Sequence, residues 1–298
     1  MKNLSDINVI RSVMAKHDVT FNKGLGQNFL VDPQICPSMA EYAELDKNTC
    51  VIEVGPGVGV LTAELAKRAG KVLSFELDER LLPVLDETLK EFDNVEIINQ
   101  DIMKADLKTL IEEKCKGMKI AVCANLPYYI TSPIIMMFLE SKLPITSITV
   151  MVQKEAADRL CAEVGSRDGG AVTIAVNYYA ESEILFFVPK DSFLPPPKVD
   201  SSVIKLTLRE KPPVEVKNED FSWQKHEKAF VDACIWGIEL GFDSIYFDSA
   251  KHIIDKNGYL GVGELPNKKQ MAYILYKIRE QTGRDDLSFI GEKCDDRR

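Results

Sequence analysis

The sequence predicts an α/β protein, built on a doubly wound, mostly parallel seven-stranded sheet and followed by a smaller, mainly helical domain. Short apolar runs alternate with segments of helical spacing as far as Leu208. This alternation is typical of a parallel sheet with helices on both faces. The pattern stops after Lys211-Pro212-Pro213. We therefore expect one domain over residues 1–209 and a second over residues 210–298.

Five apolar runs predict the parallel strands, and they cover residues 49–54, 71–76, 95–99, 119–124 and 147–152. The spacing predicts helices at Leu61–Ala69 and Arg80–Phe92. Further on, Ala171–Tyr179 is helical or extended, and residues 184–188 and 201–208 form a closing pair of strands. The segment Phe193-Leu194-Pro195-Pro196-Pro197 predicts a stiff loop outside any sheet interior, because proline lacks an N–H group. In the second domain, residues 223–240 and 268–281 have helical patterns.

The composition is that of a soluble globular protein, with 45% hydrophobic and 28% charged residues among 298. No run approaches the roughly 18 apolar residues that span a bilayer, and the first residues lack the apolar core of a signal peptide. The seven cysteines form no Cys-x-x-Cys pair and the three histidines lie far apart. We therefore expect a cytoplasmic monomer with reduced core thiols, no membrane contact and no metal site.

The net charge of −9 argues against an extensive nucleic-acid surface, because phosphate backbones usually bind to basic patches. Any such patch must be local.

A glycine-rich turn, Glu53-Val54-Gly55-Pro56-Gly57-Val58-Gly59, connects the first predicted strand to a helix. A dinucleotide fingerprint requires Gly-x-Gly-x-x-Gly, and counting from Gly55 the sixth position is Val60. The observed spacing instead favours a nucleoside without a pyrophosphate, such as S-adenosylmethionine. A tight turn without function is the alternative.

Two carboxylates follow the next two predicted strands. Glu76 lies about twenty residues beyond the glycines, where a carboxylate can accept both ribose hydroxyls. Asp101 could accept the adenine amine, and Ile102 offers a backbone N–H. Either acid alone could be a solvated strand end, but their positions at successive strand ends predict a single site.

The fourth strand leads into Asn125-Leu126-Pro127-Tyr128. Methylation of an exocyclic amine on a base requires acceptors for its N–H groups and a surface that holds the ring. Asn125 and the nearby main-chain carbonyls offer acceptors, Pro127 a rigid turn and Tyr128 a flat face. An ordinary Asn-x-Pro turn is the alternative interpretation.

Together these motifs resemble the ribosomal small-subunit RNA adenine dimethyltransferases, whose relatives include the large-subunit resistance methyltransferases. The resemblance covers about the first 208 residues in the right order. Besides the stretches above, it rests on Gly24-Leu25-Gly26-Gln27-Asn28-Phe29-Leu30, Phe75-Glu76-Leu77-Asp78, Tyr129-Ile130-Thr131-Ser132-Pro133, Met151-Val152-Gln153-Lys154-Glu155 and Phe193-Leu194-Pro195-Pro196-Pro197-Lys198-Val199-Asp200-Ser201.

The resemblance implies the fold of class I S-adenosylmethionine-dependent methyltransferases and a role for each matching residue. The cofactor contacts are Asn28, Leu30, Gly55, Gly57, Glu76, Asp101, Ile102 and Asn125. The residues that hold the target adenine are Asn125, Tyr128 and Phe193. Members of this family transfer four methyl groups to two adjacent adenines in the 3′-terminal hairpin of small-subunit (16S) RNA, and the expected partner is the small ribosomal subunit.

The region after residue 209 departs from the family pattern. It lacks the arginine-rich helix that the family carries there, and it holds 17 Asp and Glu against 14 Lys and Arg, a net charge of −3. Two alternatives therefore stay open beside the leading interpretation. One is a methyltransferase acting on large-subunit RNA or DNA, and the other is a non-catalytic assembly or nucleic-acid-binding factor on the same fold.

Overall fold

The computed structural model describes residues 4–19, 29–164, 166, 168–213, 245–247 and 289–291. The chain divides into two compact units, Met1–Val214 and Glu215–Arg298. The helices predicted over residues 223–240 and 268–281 lie outside the described residues, as does Asn28.

A seven-stranded sheet forms the centre of the first unit, with the order β4-β3-β2-β5-β6-β9-β7. Its strands are β2 (Thr49–Val54), β3 (Lys71–Phe75), β4 (Val95–Ile98), β5 (Lys119–Asn125), β6 (Ile145–Gln153), β7 (Ala180–Val188) and β9 (Ser201–Leu208). Only β9 runs antiparallel to its neighbours in this sheet, β6 and β7. The sheet confirms the predicted fold class.

Helices fill the connections between the strands. Their bounds are α1 (Ile7–Lys16), α2 (Ile35–Tyr42), α3 (Val60–Arg68), α4 (Leu82–Thr88), α5 (Leu107–Lys114), α6 (Thr131–Glu140), α7 (Lys154–Leu160) and α8 (Ala171–Tyr179). The segment predicted to be helical or extended is therefore a helix, α8. The helix predicted over residues 80–92 is shorter, and a 3₁₀ turn at Glu79–Leu81 precedes α4.

Alternating side chains along the central strands enter two different apolar layers. In β2, Cys50, Ile52 and Val54 pack on the face that α5, α6, α7 and α8 cover. Val51 points to the opposite face, against α2 and α3. Burial on both faces explains why these strands are continuous apolar runs instead of alternating ones.

A two-stranded antiparallel sheet joins β1 (Phe29–Leu30) to β8 (Phe193–Leu194). The prediction of a loop over residues 193–197 is therefore wrong for its first two residues, because the backbone of β1 supplies hydrogen-bond partners that the local sequence does not reveal. The three prolines that follow are irregular, as predicted. In the second unit, β10 (Ile245–Phe247) pairs in parallel with β11 (Phe289–Gly291).

Cys50 and Cys115 are paired as a disulfide across 65 residues, with their Cα atoms 6.0 Å apart. This corrects the expectation of reduced thiols for these two cysteines, which the fold brings together at the same end of β2 and β5. Cys36, Cys123 and Cys161 are free. Within the part of the chain described, no helix has both the length and the apolar character needed to cross a membrane.

Candidate active site

A cavity of about 330 Å³ opens at the carboxyl edge of the parallel strands. This is where ligands bind in open α/β sheets, and the volume falls in the usual range for small-molecule sites. Four adjacent strands, β4, β3, β2 and β5, end here. The predicted site residues that line the cavity are Gly55, Gly57, Glu76, Asp101, Ile102, Asn125, Tyr128 and Phe193.

The glycine turn between β2 and α3 requires its glycines. Gly55, Gly57 and Gly59 have φ values of +69°, +60° and +89°, in a region that side chains with a Cβ rarely adopt. A Cβ built on Gly55 would meet no protein atom within 4 Å, while one on Gly57 would lie 3.1 Å from the Phe29 ring. Gly55 therefore leaves open space on the cavity wall, which a ligand can approach closely.

Glu53 lies in β2 just before the glycine turn and stabilises it by hydrogen bonds, although the sequence alone predicted no role for this residue. It is only 1% exposed, and its Oε2 accepts hydrogen bonds from Thr62 Oγ1 and Ser74 Oγ, each at 2.7 Å. These bonds join β2 to α3 and β3. Burial raises the pKa of Glu53 to about 7, with a smaller contribution from the charge of Glu76, while the two hydroxyls oppose the rise. The sequence signal that could have identified it is a carboxylate inside a buried strand.

Glu76 follows β3 directly and is 6% exposed. Its Oε1 accepts the backbone N–H of Asp78 at 2.8 Å. Burial raises the pKa of this carboxyl, and backbone N–H groups, including that of Gly57, partly offset the rise. The carboxylate thus lies beside the glycine turn, where it can accept hydroxyl donors from a ligand in the cavity.

Asp101 and Ile102 lie beyond the end of β4. Asp101 caps a short 3₁₀ helix, because its Oδ1 accepts the N–H of Met103 at 3.0 Å. Its Oδ2 lies 3.7 Å from Lys104 Nζ. Ile102 is buried and forms part of the cavity wall. Capping accounts for one oxygen of Asp101, and the other remains near the cavity with an exposed lysine as its neighbour.

Asn125 is the last residue of β5 and is half-buried. Its carboxamide forms no hydrogen bond to any of the residues that the structure describes. The loop after it is held in place, since the N–H of Leu126 donates to the carbonyl of Met151 at 3.2 Å and the Leu126 side chain is buried. A partly buried amide that has no partner among the described residues is available to a ligand.

Tyr128 begins a 3₁₀ turn and lines the cavity. Its hydroxyl is hydrogen-bonded to Ser201 Oγ at 2.7 Å. Burial raises the pKa of the phenol, so it stays neutral at physiological pH, and the bond to Ser201 partly opposes the rise. Nothing in the sequence linked Ser201 to Tyr128, which lies 73 positions away.

Two further predicted residues, Leu30 and Phe193, lie in the β1–β8 pair. Phe193 is buried and faces the cavity, and its register partner is Leu30. The Leu30 side chain packs in the apolar layer with Met39 and Val203 and is not among the residues lining the cavity. The β1–β8 pair therefore ties the segment that follows Asn28 to the aromatic wall of the site.

The cavity combines three chemical features. One wall offers glycine backbone and a buried carboxylate, which suit a nucleoside with free ribose hydroxyls. The same cavity is lined by the Asn125 amide, which has no hydrogen-bond partner in the part of the chain that the structure describes, and by two aromatic rings, which suit a flat heterocycle that carries an amine. Among the described residues, no group of His, Cys, Asp and Glu side chains is arranged to hold a metal ion.

Two curated relatives are closely similar over most of their length. A Ribosomal RNA small subunit methyltransferase A from Oceanobacillus iheyensis is 48% identical over 221 residues, which cover 74% of this chain and 75% of the relative. The protein of the same name from Streptococcus thermophilus is 47% identical over 229 residues, with coverages of 76% and 79%.

Two crystal structures show similarity at a greater distance. The 23S rRNA methyltransferase ErmE has a TM-score of 0.57 at 28% identity, covering 85% of this chain and all of its own. A dimethyladenosine transferase from Plasmodium falciparum has a TM-score of 0.55 at 29% identity, covering 61% of this chain and 64% of its own. Residues 18–231 also match the family described as Ribosomal RNA adenine dimethylase. This chain belongs to the ribosomal RNA adenine dimethylase family.

Proposed function

We propose that this chain transfers methyl groups from S-adenosylmethionine to the exocyclic N6 of two adjacent adenines in the 3′-terminal hairpin of small-subunit (16S) RNA. The observation that carries the proposal is the half-buried Asn125 carboxamide, which has no partner among the described residues and shares one cavity with Glu76 and Gly55. The two curated relatives at 47% and 48% identity, both named for the small subunit, support this choice of substrate.

The cavity residues fit the cofactor. Gly55 leaves room for close approach, and Glu76 offers a buried carboxylate to the ribose hydroxyls. Asp101 and the Ile102 N–H would hold the adenine edge, and Asn125 would contact the methionine end. Gly57 shapes the turn, and Leu30 and Asn28 complete the proposed cofactor set. Because the Leu30 side chain packs in the apolar layer, its contact with the cofactor would come from its main chain. The bound cofactor supplies an electrophilic methyl group.

The target adenine would lie between Tyr128 and Phe193, with its amine near Asn125. The Asn125 side-chain carbonyl and the main-chain carbonyls around Leu126 would accept the two N–H groups of the amine and thereby orient its lone pair. Alignment of this kind can supply most of the acceleration. No strong base is required, since a methylated amine that carries a positive charge can release its proton to water.

A methyl-transfer assay with a matched pair of variants tests the cofactor site and the substrate together. Labelled methyl transfer is measured to small subunits purified from cells lacking the enzyme, with large subunits and DNA as controls. Gly55→Ala should transfer less label than the wild type, because the new methyl group enters the cavity and weakens cofactor binding. Gly117→Ala serves as the control, since Gly117 also has a positive φ, +79°, and open space around it, but lies at the opposite end of β5.

The large subunit is the second candidate substrate, and the structural similarity to ErmE over 85% of this chain favours testing it. If label appears in large subunits and not in small ones, the large subunit is the substrate and the proposed small-subunit substrate is wrong. Label in neither would favour a non-catalytic assembly role.

We further propose that residues 1–209 carry the methyltransferase activity as a monomer and that residues 210–298 form a small, mainly helical domain. A ribosomal RNA substrate implies action in the cytoplasm, on the small ribosomal subunit. The acidic balance after residue 209 leads us to expect that this region contributes little to binding of naked RNA.

A further inference from the structure

The hydrogen bond between Tyr128 and Ser201 connects two distant parts of the site. The two hydroxyl oxygens are 2.7 Å apart. Ser201 has no exposed surface and is the first residue of β9, where it pairs with Gln153 of β6 and Val188 of β7. The phenol is therefore bonded to the interior of the sheet and not to a surface loop.

Two hydrogen bonds of the preceding residue, Asp200, help to fix the position of Ser201. The carbonyl of Asp200 accepts the N–H of Lys154 at 3.0 Å, and its carboxylate Oδ1 accepts the N–H of Lys190 at 2.9 Å. The bond from Lys190 closes the loop that contains Phe193 and the prolines, and the bond from Lys154 ties Asp200 to the residue that follows β6. The Ser201 hydroxyl is thus held at a point where β6, β9 and the Phe193 segment meet.

Tyr128 has no comparable support along its own turn. The 3₁₀ helix that it begins has no side-chain cap, and the bonds from the Ile130 N–H and the Thr131 hydroxyl to the carbonyl of Pro127 involve no atom of the Tyr128 ring. The neighbouring Tyr129 side chain is 63% exposed, which shows that this turn does not by itself bury its aromatic rings. The bond to Ser201 is therefore the polar contact, among the described residues, that fixes the direction of the Tyr128 ring.

We propose that Ser201 is a positioning residue, whose hydroxyl holds the Tyr128 ring in the orientation that receives the target adenine. The inference rests on the proposed methyl transfer and names a residue that acts through Tyr128 without touching substrate. Loss of this bond lets the ring turn away from its stacking position, so the bound adenine reaches a productive orientation less often. The effect should therefore fall on kcat and leave cofactor binding intact.

A double-mutant cycle tests the proposal with the full chain and small subunits as substrate. Ser201→Ala and Tyr128→Phe should each lower kcat by about three- to tenfold, the range for one hydrogen bond. The double variant should lose no more than either single one, because both substitutions delete the same bond. Ser202→Ala is the matched control, since Ser202 is also buried in β9 but its side chain points to the opposite face of the sheet. It should keep wild-type kcat.

The outcomes separate a positioning role from a structural one. The affinity for S-adenosylmethionine, measured by calorimetry, should match that of the wild type in every variant. A variant that fails to fold would be recognised by its loss of cofactor binding. If Ser201→Ala does not fold, Tyr128→Phe still tests the proposal, because it deletes the same hydrogen bond by removing the hydroxyl of the half-buried tyrosine. Multiplicative losses in the double variant, or an equal loss in Ser202→Ala, would overturn the proposal. Methyl transfer by the wild type tests the proposed function. The proposal on Ser201 is tested separately, by the ratio of each variant's kcat to the wild-type kcat.

Discussion

The buried carboxyl of Glu53 should make stability fall as the pH rises. Its pKa is raised from 4.5 to about 7 by burial. Below about pH 4.5 the group is protonated in both the folded and the unfolded chain. As the pH rises toward 7, Glu53 loses its proton in the unfolded chain but keeps it in the folded one, so the free energy of unfolding decreases. Above about pH 7 the carboxyl is ionised in both states, and the whole decrease in the free energy of unfolding remains.

The size of this effect follows from the pKa difference. One pKa unit corresponds to about 1.4 kcal/mol, so the change from 4.5 to about 7 corresponds to about 3 kcal/mol of unfolding free energy. Glu53→Gln removes the titration and keeps an oxygen that can accept from Thr62 and Ser74. The buried amide group adds a cost that does not depend on pH. The variant should therefore gain about 3 kcal/mol relative to the wild type between about pH 4 and about pH 8.

Urea unfolding followed by far-ultraviolet circular dichroism measures both proteins across this range. Subtracting the wild-type free energy of unfolding from that of Glu53→Gln at each pH cancels the contribution of groups that titrate alike in both proteins. A difference that stays constant with pH, or one that changes in the opposite direction, would refute the assignment of a raised pKa to Glu53. The result matters for the site, because Glu53 joins the strand, the helix and the neighbouring strand that hold the glycine turn.

Three further predictions concern the ligands. Glu76→Ala should weaken S-adenosylmethionine binding by about 1.5–3 kcal/mol in calorimetry, because a hydrogen bond to a charged group is lost, and NAD should not bind; equal affinity for NAD would contradict the cofactor assignment. Asn125→Ala should keep cofactor affinity within about tenfold but lose most of its turnover, because the amide mainly orients the target amine; a variant that turns over like the wild type would remove Asn125 from the site. Binding to the isolated terminal hairpin should be weak and should depend little on salt, and a slope equivalent to about six or more phosphates would reveal a basic surface that the sequence does not indicate.

The sheet and most of the candidate site could be predicted from the sequence because both depend on local patterns. Apolar runs fix the strands, and residues that follow parallel strands must meet at one edge. For that reason the sequence alone was enough to assign Gly55, Glu76 and Asn125 to a single cavity.

The contacts that the sequence did not predict are pairings between residues far apart in the chain. The β1–β8 pair joins Phe29 to Leu194 and Leu30 to Phe193, and the Tyr128–Ser201 bond joins residues 73 positions apart. Such pairings depend on how the finished sheet orients each loop, and no periodicity records them. Glu53 is a different case, because the sequence shows its position in a buried strand but not the two hydroxyls that stabilise it there.

Nucleoside mass spectrometry of small-subunit RNA tests the central claim most directly. Small subunits from cells lacking the enzyme are incubated with the full chain and S-adenosylmethionine, and the terminal hairpin is then isolated and digested. We predict N6,N6-dimethyladenosine at two adjacent positions of the hairpin, and much less of it when Asn125→Ala replaces the wild type. Unmodified adenines in the hairpin after incubation with the wild type would contradict the proposed function.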